Sequence, residues 1–319
     1  MAKTSDLHPH PVFIAGPTAV GKSEVALLLA EQLGGEIISV DSMQVYRGLD
    51  LGTAKPSAAE RVRVPHHLID VVELDEPFDA ARFIELATKA VTEIQARQHV
   101  PIFCGGTGLY FKAFLEGIGE APPSDAKLRA ELEAAPLTEL LRELAQRDPA
   151  TFEKIDRQNP RRVVRAVEVI RLTGKPFSGQ RAEWASKSQT PNPNVIFALT
   201  RQAEDLQARI RARVDVMFAG GLVDETRRLL DHGLAHNRTA MQAIGYRQVV
   251  EHLQGYRSLP ETIELVKIKT RQFAKRQMTW FRKHGGVHWL ELLPEDTGCG
   301  TGDAVRAILK SRSETGQPT

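Results

Sequence analysis

Residues Gly16-Pro17-Thr18-Ala19-Val20-Gly21-Lys22-Ser23 fill every fixed position of the pattern GxxxxGK[ST]. The chemistry of that pattern is anion capture. Successive backbone amides and the positive end of a helix surround a polyphosphate, the lysine adds a mobile charge, and the hydroxyl is placed to ligate Mg2+. The context the motif requires is present: the apolar, β-branched run Pro11–Ala15 precedes it, and Val25, Leu28, Leu29 and Leu33 follow at helical spacing. A Gly-rich turn is the structural alternative, and this strand–loop–helix setting disfavours it.

Two other stretches carry reactive groups. Asp41-Ser42 directly follows the strand-like Glu36–Val40. An aspartate there either helps to hold Mg2+ or acts as a general base facing a bound diphosphate; position leaves both roles open, with a helix cap as the structural alternative. Gly105-Gly106-Thr107-Gly108 follows the strand-like Val100–Cys104. Paired glycines predict close backbone approach to a ligand, and Thr107 offers a hydroxyl, although such a segment is often only a turn. Loops that leave the carboxyl ends of strands in a doubly wound sheet share one crevice, so the three motifs are expected in one site.

A basic tract spans Lys267–Lys283, with seven Lys or Arg and no acid, interleaved with Phe273, Trp280 and Phe281. The plain reading is a solvated helix face with aromatic core residues. The functional one is a nucleic-acid surface, with charge for phosphates and rings for unstacked bases. Arg157, Arg161, Arg162 and Arg165 form a second basic cluster.

The elements that would position these groups alternate. Val12–Ala15, Glu36–Val40, His67–Val71 and Val100–Cys104 read as strands between helical patterns, the rhythm of a parallel α/β sheet. From about Pro122 to Thr190 the strand signal gives way to charged helical text. After the break Pro191-Asn192-Pro193-Asn194, Val195–Leu199 resumes the sheet, and Val287–Leu290 reads as an edge strand. The expected organisation is a core of residues 1–121 and 195–319 with an inserted helical domain at 122–194. The polar tail Ser311–Thr319 is expected to be disordered. With 42% hydrophobic and 26% charged residues among 319, and a net charge of only +2, the chain reads as an ordinary globular protein whose overall charge does not select a partner. Cys104 and Cys299 are too few for a disulfide framework or a four-cysteine zinc module, which predicts a reducing, cytoplasmic setting. No apolar stretch reaches a membrane-spanning length, and without a coiled-coil pattern the expectation is a monomer with no obligate protein partner.

Beyond the phosphate loop, the segment Asp41-Ser42-Met43-Gln44-Val45-Tyr46-Arg47-Gly48-Leu49-Asp50-Leu51-Gly52-Thr53-Ala54-Lys55-Pro56 resembles the tRNA dimethylallyltransferase (tRNA isopentenyltransferase) family. Pro65-His66-His67, Gly105–Tyr110, Asn159–Arg162, Ala243–Gln248 and Thr270–Gln277 through Arg282 agree, in order, over roughly residues 12 to 290. The resemblance implies a P-loop NTPase-like parallel sheet flanked by helices, with an inserted all-helical domain. It implies transfer of a dimethylallyl group from dimethylallyl diphosphate to the exocyclic amine of adenine 37, beside the anticodon of tRNA, with Mg2+ as cofactor. On the matching positions Asp41 would be the catalytic base, Thr107 would orient the amine or the bridging oxygen, and Lys22 would stabilise the leaving group. Gly16, Thr18, Ala19, Val20, Gly21, Lys22, Ser23 and Arg213 would hold the diphosphate, with Ser23 on the metal. tRNA contacts would come from Asp41, Ser42, Met43, Gln44 and Thr107, from Arg129, Arg161, Arg162 and Arg165 in the insertion, from Gln242, Gly245, Tyr246 and Arg247, and from Lys275, Arg276, Gln277, Trp280 and Arg282. Arg165 and Arg247 have structural ion pairing as an alternative. A small-molecule kinase would use the same loop for ATP, a non-catalytic RNA-binding protein would leave the loop and Asp41 unexplained, and a transferase acting on free adenosine phosphates would not need the basic tract.

Overall fold

Val12–Ala15 forms strand β1, and all four residues are buried. A strand of a parallel sheet is covered on both faces, so its sequence is continuously apolar rather than alternating. Side chains still divide between two cores. Phe13 and Ala15 enter one cluster with Val40, Phe83 and Phe103, and Val12 and Ile14 enter another with Val25, Leu29 and Ile308. The computed structural model describes residues 9–119, 121–180, 195–293 and 300–314. The chain divides into two units, Met1–Leu115 with Asn192–Thr319, and Glu116–Pro191.

Among the described residues, the first unit is built on six strands. These are β1, β2 (Gly35–Val40), β3 (His66–His67), β4 (Val100–Gly105), β5 (Ile196–Thr200) and β6 (Val287–Glu291). They form one sheet in the order β3-β2-β4-β1-β5-β6, with every pair parallel. Its helices are α1 (Lys22–Leu33), α2 (Ala58–Arg63), α3 (Ala80–Ala96), α4 (Gly108–Glu116), which ends at the unit boundary, and, after the insertion, α9 to α13. The carboxyl ends of β1, β2 and β4 lie side by side, which brings together the phosphate loop, Asp41 and the Gly105–Gly108 segment.

The second unit is helical: α5 (Ala126–Ala134), α6 (Leu137–Arg147), α7 (Pro149–Lys154) and α8 (Pro160–Thr173). Leu132, Leu140, Leu144, Val163, Val167 and Ile170 form its core. Asn159 starts α8 by accepting from the Arg162 amide, with Pro160 at the first helical position, and Gly174 ends it in the left-handed conformation. The remaining helices of the first unit are α9 (Ala203–Ala219), α10 (Leu222–Asp231), α11 (Tyr246–Leu253), α12 (Leu259–Arg282) and α13 (Thr301–Glu314).

Two expectations change. The strand read at His67–Val71 shrinks to His66–His67, because Leu68 and Asp70 take φ of 61° and 56° and cannot continue a ladder. The expected disorder from Ser311 does not hold for its first four residues, which complete α13. There Arg312 is buried and its Nη1 donates to the His10 carbonyl at 3.1 Å. The Pro191–Asn194 break, Cys299 and the end of the tail lie outside the described residues.

Candidate active site

The phosphate loop turns into α1 through Gly21, whose φ of 109° lies in the left-handed region that favours glycine. Lys22 Nζ donates to the Pro17 carbonyl at 2.7 Å. Burial, reinforced by the nearby Arg213, pulls the Lys22 pKa down to about 8, while Cys104 and Asp41 pull the other way. Arg213 comes from α9 and donates to Thr18 Oγ1 at 3.3 Å; burial, then Arg209, lowers its pKa.

Asp41 leaves the end of β2. Its Oδ1 accepts from the Met43 amide at 2.8 Å and the Gln44 amide at 3.2 Å, so Oδ2 is the oxygen available to a ligand. Burial raises the Asp41 pKa, against those two amides and the charges of Lys22 and Lys55. No described helix begins at Asp41, so the carboxylate closes a turn through one oxygen rather than capping a helix. Thr107 Oγ1 accepts from the Ser42 amide at 3.2 Å, which leaves its hydroxyl proton to donate elsewhere.

These residues line two adjoining cavities. One, of about 100 Å³, is walled by Thr18, Lys22, Ser23, Asp41, Arg213 and Phe273. The other, of about 340 Å³, is walled by Asp41, Ser42, Met43, Thr107, Gln242 and Arg276. Thr18, Asp41, Arg213 and Phe273 belong to both walls, so Asp41 sits where the two cavities meet. Arg276 also lines an outer groove of about 480 Å³ with Lys275, Trp280 and Lys283.

Several residues that the resemblance marks as RNA contacts also have structural partners within the fold. Tyr246 is fully buried, donating to Glu225 Oε1 at 2.5 Å and accepting from the Gly52 amide at 3.1 Å. Gly245 is buried beside it. Gln277 is 7% exposed, accepts from the Thr18 amide at 2.8 Å and donates to the Gly106 carbonyl at 3.0 Å. Gln44 accepts from Ser39 Oγ and donates to the carbonyls of Thr53 and Ala54. Trp280 is packed on Gly108, where a Cβ would come within 2.3 Å of its ring, and stacks on His284, while part of it stays exposed in the wall of the outer groove. Gly106 and Gly108 therefore make room for α12, a Cβ at Gly106 lying 2.1 Å from Gln277 Nε2, whereas Gly105 makes room for the Val40 backbone of β2. In the helical unit Arg129 and Arg165 both pair with the fully buried Glu168, at 2.7 and 2.6 Å, which fixes them structurally. Arg161 and Arg162 are exposed at the start of α8, Lys275, Arg276 and Arg282 are exposed on α12, and Arg247 is exposed while pairing with Glu251 at 3.2 Å.

A family model described as IPP transferase matches residues 44–284. The chain belongs to the IPP transferase family. Among its relatives, the tRNA dimethylallyltransferase 1 of Citrifermentans bemidjiense is 44% identical over 280 residues, covering 88% of this chain and 91% of that protein. The tRNA dimethylallyltransferase of Desulforudis audaxviator is 44% identical over 309 residues, covering 95% and 97%. Among solved structures, the full-length tRNA isopentenylpyrophosphate transferase of Bacillus halodurans matches with a TM-score of 0.69 at 38% identity, over 97% of this chain and all of that one. A eukaryotic dimethylallyltransferase acting on tRNA matches with a TM-score of 0.80 at 27% identity, over 97% and 80%.

The sequence reading counted Phe273 among the aromatics of the basic tract and Gln277 among the tRNA contacts, and the structure gives each a further place. Phe273 walls both cavities, and Gln277 ties the phosphate loop to the β4 exit. The signal for Gln277 was present: it lies four residues after Phe273 on one helix, so both address the same side.

Proposed function

We propose that the chain transfers a dimethylallyl group from dimethylallyl diphosphate to the exocyclic amine of adenine 37 in the anticodon stem-loop of tRNA, releasing diphosphate. The observation that carries this is the junction of the two cavities at Asp41, with cationic and amide groups on one side and an acceptor pocket on the other. The diphosphate takes the side of Thr18, Lys22, Ser23 and Arg213, and the flipped adenine takes the side of Met43, Thr107 and Gln242.

In the reaction the bond between the allylic carbon and the bridging oxygen breaks as the carbon–nitrogen bond forms, and the amine proton passes to Asp41. A buried carboxylate with a raised pKa is a stronger base than an exposed one, which suits the weakly basic aromatic amine. Lys22 and Arg213 stabilise the charge that grows on the leaving diphosphate. Thr107, with its oxygen held by the Ser42 amide, donates toward the bridging oxygen or orients the amine.

The donor set suits Mg2+ delivered with the diphosphate. Ser23, an exposed hydroxyl in the wall, would take one position on the metal, with the others left to phosphate oxygens and water. Mg2+ is commonly held this way, by one or two protein oxygens, substrate phosphates and water. When bound it offsets charge on the leaving group.

The test is incubation of purified protein with Mg2+, labelled dimethylallyl diphosphate and unmodified tRNA bearing adenine at position 37, with ATP as a parallel donor. Label mapped to that adenine is the expected result. ATP consumption with unlabelled tRNA would assign the loop to a kinase or hydrolase.

A further inference from the structure

The phosphate loop is held from its outer side by arginines that line neither cavity. Arg201, on the strand-to-helix connection after β5, is 6% exposed and donates from Nε to the Val20 carbonyl at 2.8 Å. Its other arm pairs with Asp205 at 2.8 Å, which fixes the plane of the guanidinium. Arg209 on α9 donates from Nε to the Ala19 carbonyl at 3.1 Å. Immediately before these two clamped carbonyls the backbone is strained: Ala19 has φ of 65°, a left-handed conformation unusual for a residue with a side chain. Strained residues persist where their surroundings over-determine them, and here two cations do so. The adjacent Pro17 carbonyl is taken by Lys22 Nζ.

We propose that Arg201 and Arg209 are positioning residues for the donor site, a cationic collar that pulls the Ala19 and Val20 carbonyls outward. A peptide plane whose carbonyl is drawn out presents the following amide inward, so the collar sets the amides of Val20 and Gly21 toward the anion before it arrives. The collar contributes geometry in addition to charge. Both residues act through the loop, since neither appears in the walls of the two cavities. This inference rests on the reading that the loop holds a diphosphate.

Inorganic diphosphate binding by calorimetry, in the presence of Mg2+, tests it on the full chain. Wild-type protein is measured first; absence of binding there would refute the diphosphate reading itself. Arg201→Lys keeps the charge but loses the fixed fork, and Arg209→Lys does the same at the less buried site. Each is expected to weaken diphosphate binding about tenfold, since small displacements of preorganised groups carry costs of that order or more, with tRNA affinity unchanged. If Arg201→Lys fails to fold, the Arg209 variant carries the test alone. Wild-type diphosphate affinity in a folded lysine variant would overturn the collar, as would equal losses in diphosphate and tRNA binding, the mark of general damage.

Discussion

At the scale of single residues, the two half-buried ionisable groups to which the proposed reaction gives central roles, Asp41 and Lys22, leave signatures in pH. The fold raises the Asp41 pKa, so the folded state binds this proton more tightly than the unfolded chain. Stability from this group therefore falls as pH rises from the unfolded pKa through the folded one, and at neutral pH the charged carboxylate opposes folding. Asp41→Asn keeps an oxygen for the Met43 and Gln44 amides and removes the charge. It is expected to raise Tm by about 1–3 °C and to lower turnover by about 10²-fold to 10⁴-fold, measured by thermal melts and transfer rates on the same preparation. Lys22 is the inverse case: its pKa of about 8 in the fold lies below its ordinary value, so its contribution to stability rises with pH from about 8 to 10.5. A diphosphate favours the ammonium, so donor binding is expected to take up protons near pH 8 and to weaken as pH rises further. Calorimetry in buffers of different ionisation heat reads that uptake; a pH-independent affinity from 7 to 10 would remove Lys22 from the anion.

At the scale of elements, β2 separates stability from function along its length. It starts beside Glu36, a buried carboxylate held by Arg97 at 2.8 Å through both arms and by His67 and His99 at 2.6 and 2.8 Å. It ends at Asp41. Despite the desolvation that opposes ionisation, those partners hold the Glu36 pKa down at about 2, so its stabilisation is present above about 4.5 and is lost as pH falls toward 2. Arg97 and His99 are nearly half exposed, which reduces what the cluster contributes. Glu36→Gln is expected to cost about 1–3 kcal/mol in urea unfolding at pH 7, shrinking near pH 3, with the transfer rate per folded molecule unchanged. The same scale shows what the sequence disclosed. The runs of β1, β4 and β5 were legible because burial on both faces leaves a nearly continuous apolar text, and β2 was legible from Ile37, Ile38 and Val40 despite the buried Glu36 and Ser39. The short β3 was not, because its end is set by left-handed Leu68 and Asp70, neither of which is a glycine. The glycines at 106 and 108 were read as room for a ligand; they also make room for Gln277 and Trp280 of α12, a tertiary contact that local spacing does not encode.

At the scale of the whole molecule, the basic residues separate into those the fold uses and those it leaves on its surface. A charge count in the sequence treats Arg165 and Arg276 alike. The structure shows Arg165 spent on buried Glu168 and the Pro122 carbonyl, the ion-pairing alternative offered for it, while Arg276 stands exposed between the cavity of about 340 Å³ and the outer groove. Arg276→Ala is expected to reduce the salt slope of tRNA binding by about 1, whereas Arg165→Ala is expected to leave the slope and to lower the unfolding midpoint. Phosphate loop, Asp41 and Thr107 were legible as one site because strand order alone brings their loops together; the committed roles of Tyr246, Gln277 and Trp280 required side-chain packing. The most direct measurement is single-turnover transfer by Asp41→Asn beside wild type, with the dissociation constants of dimethylallyl diphosphate and tRNA determined for both. Near-normal affinities with transfer slowed at least 10²-fold are expected if Asp41 accepts the proton at the junction of the two cavities. Unimpaired transfer, or a loss explained wholly by weaker binding, would contradict that role.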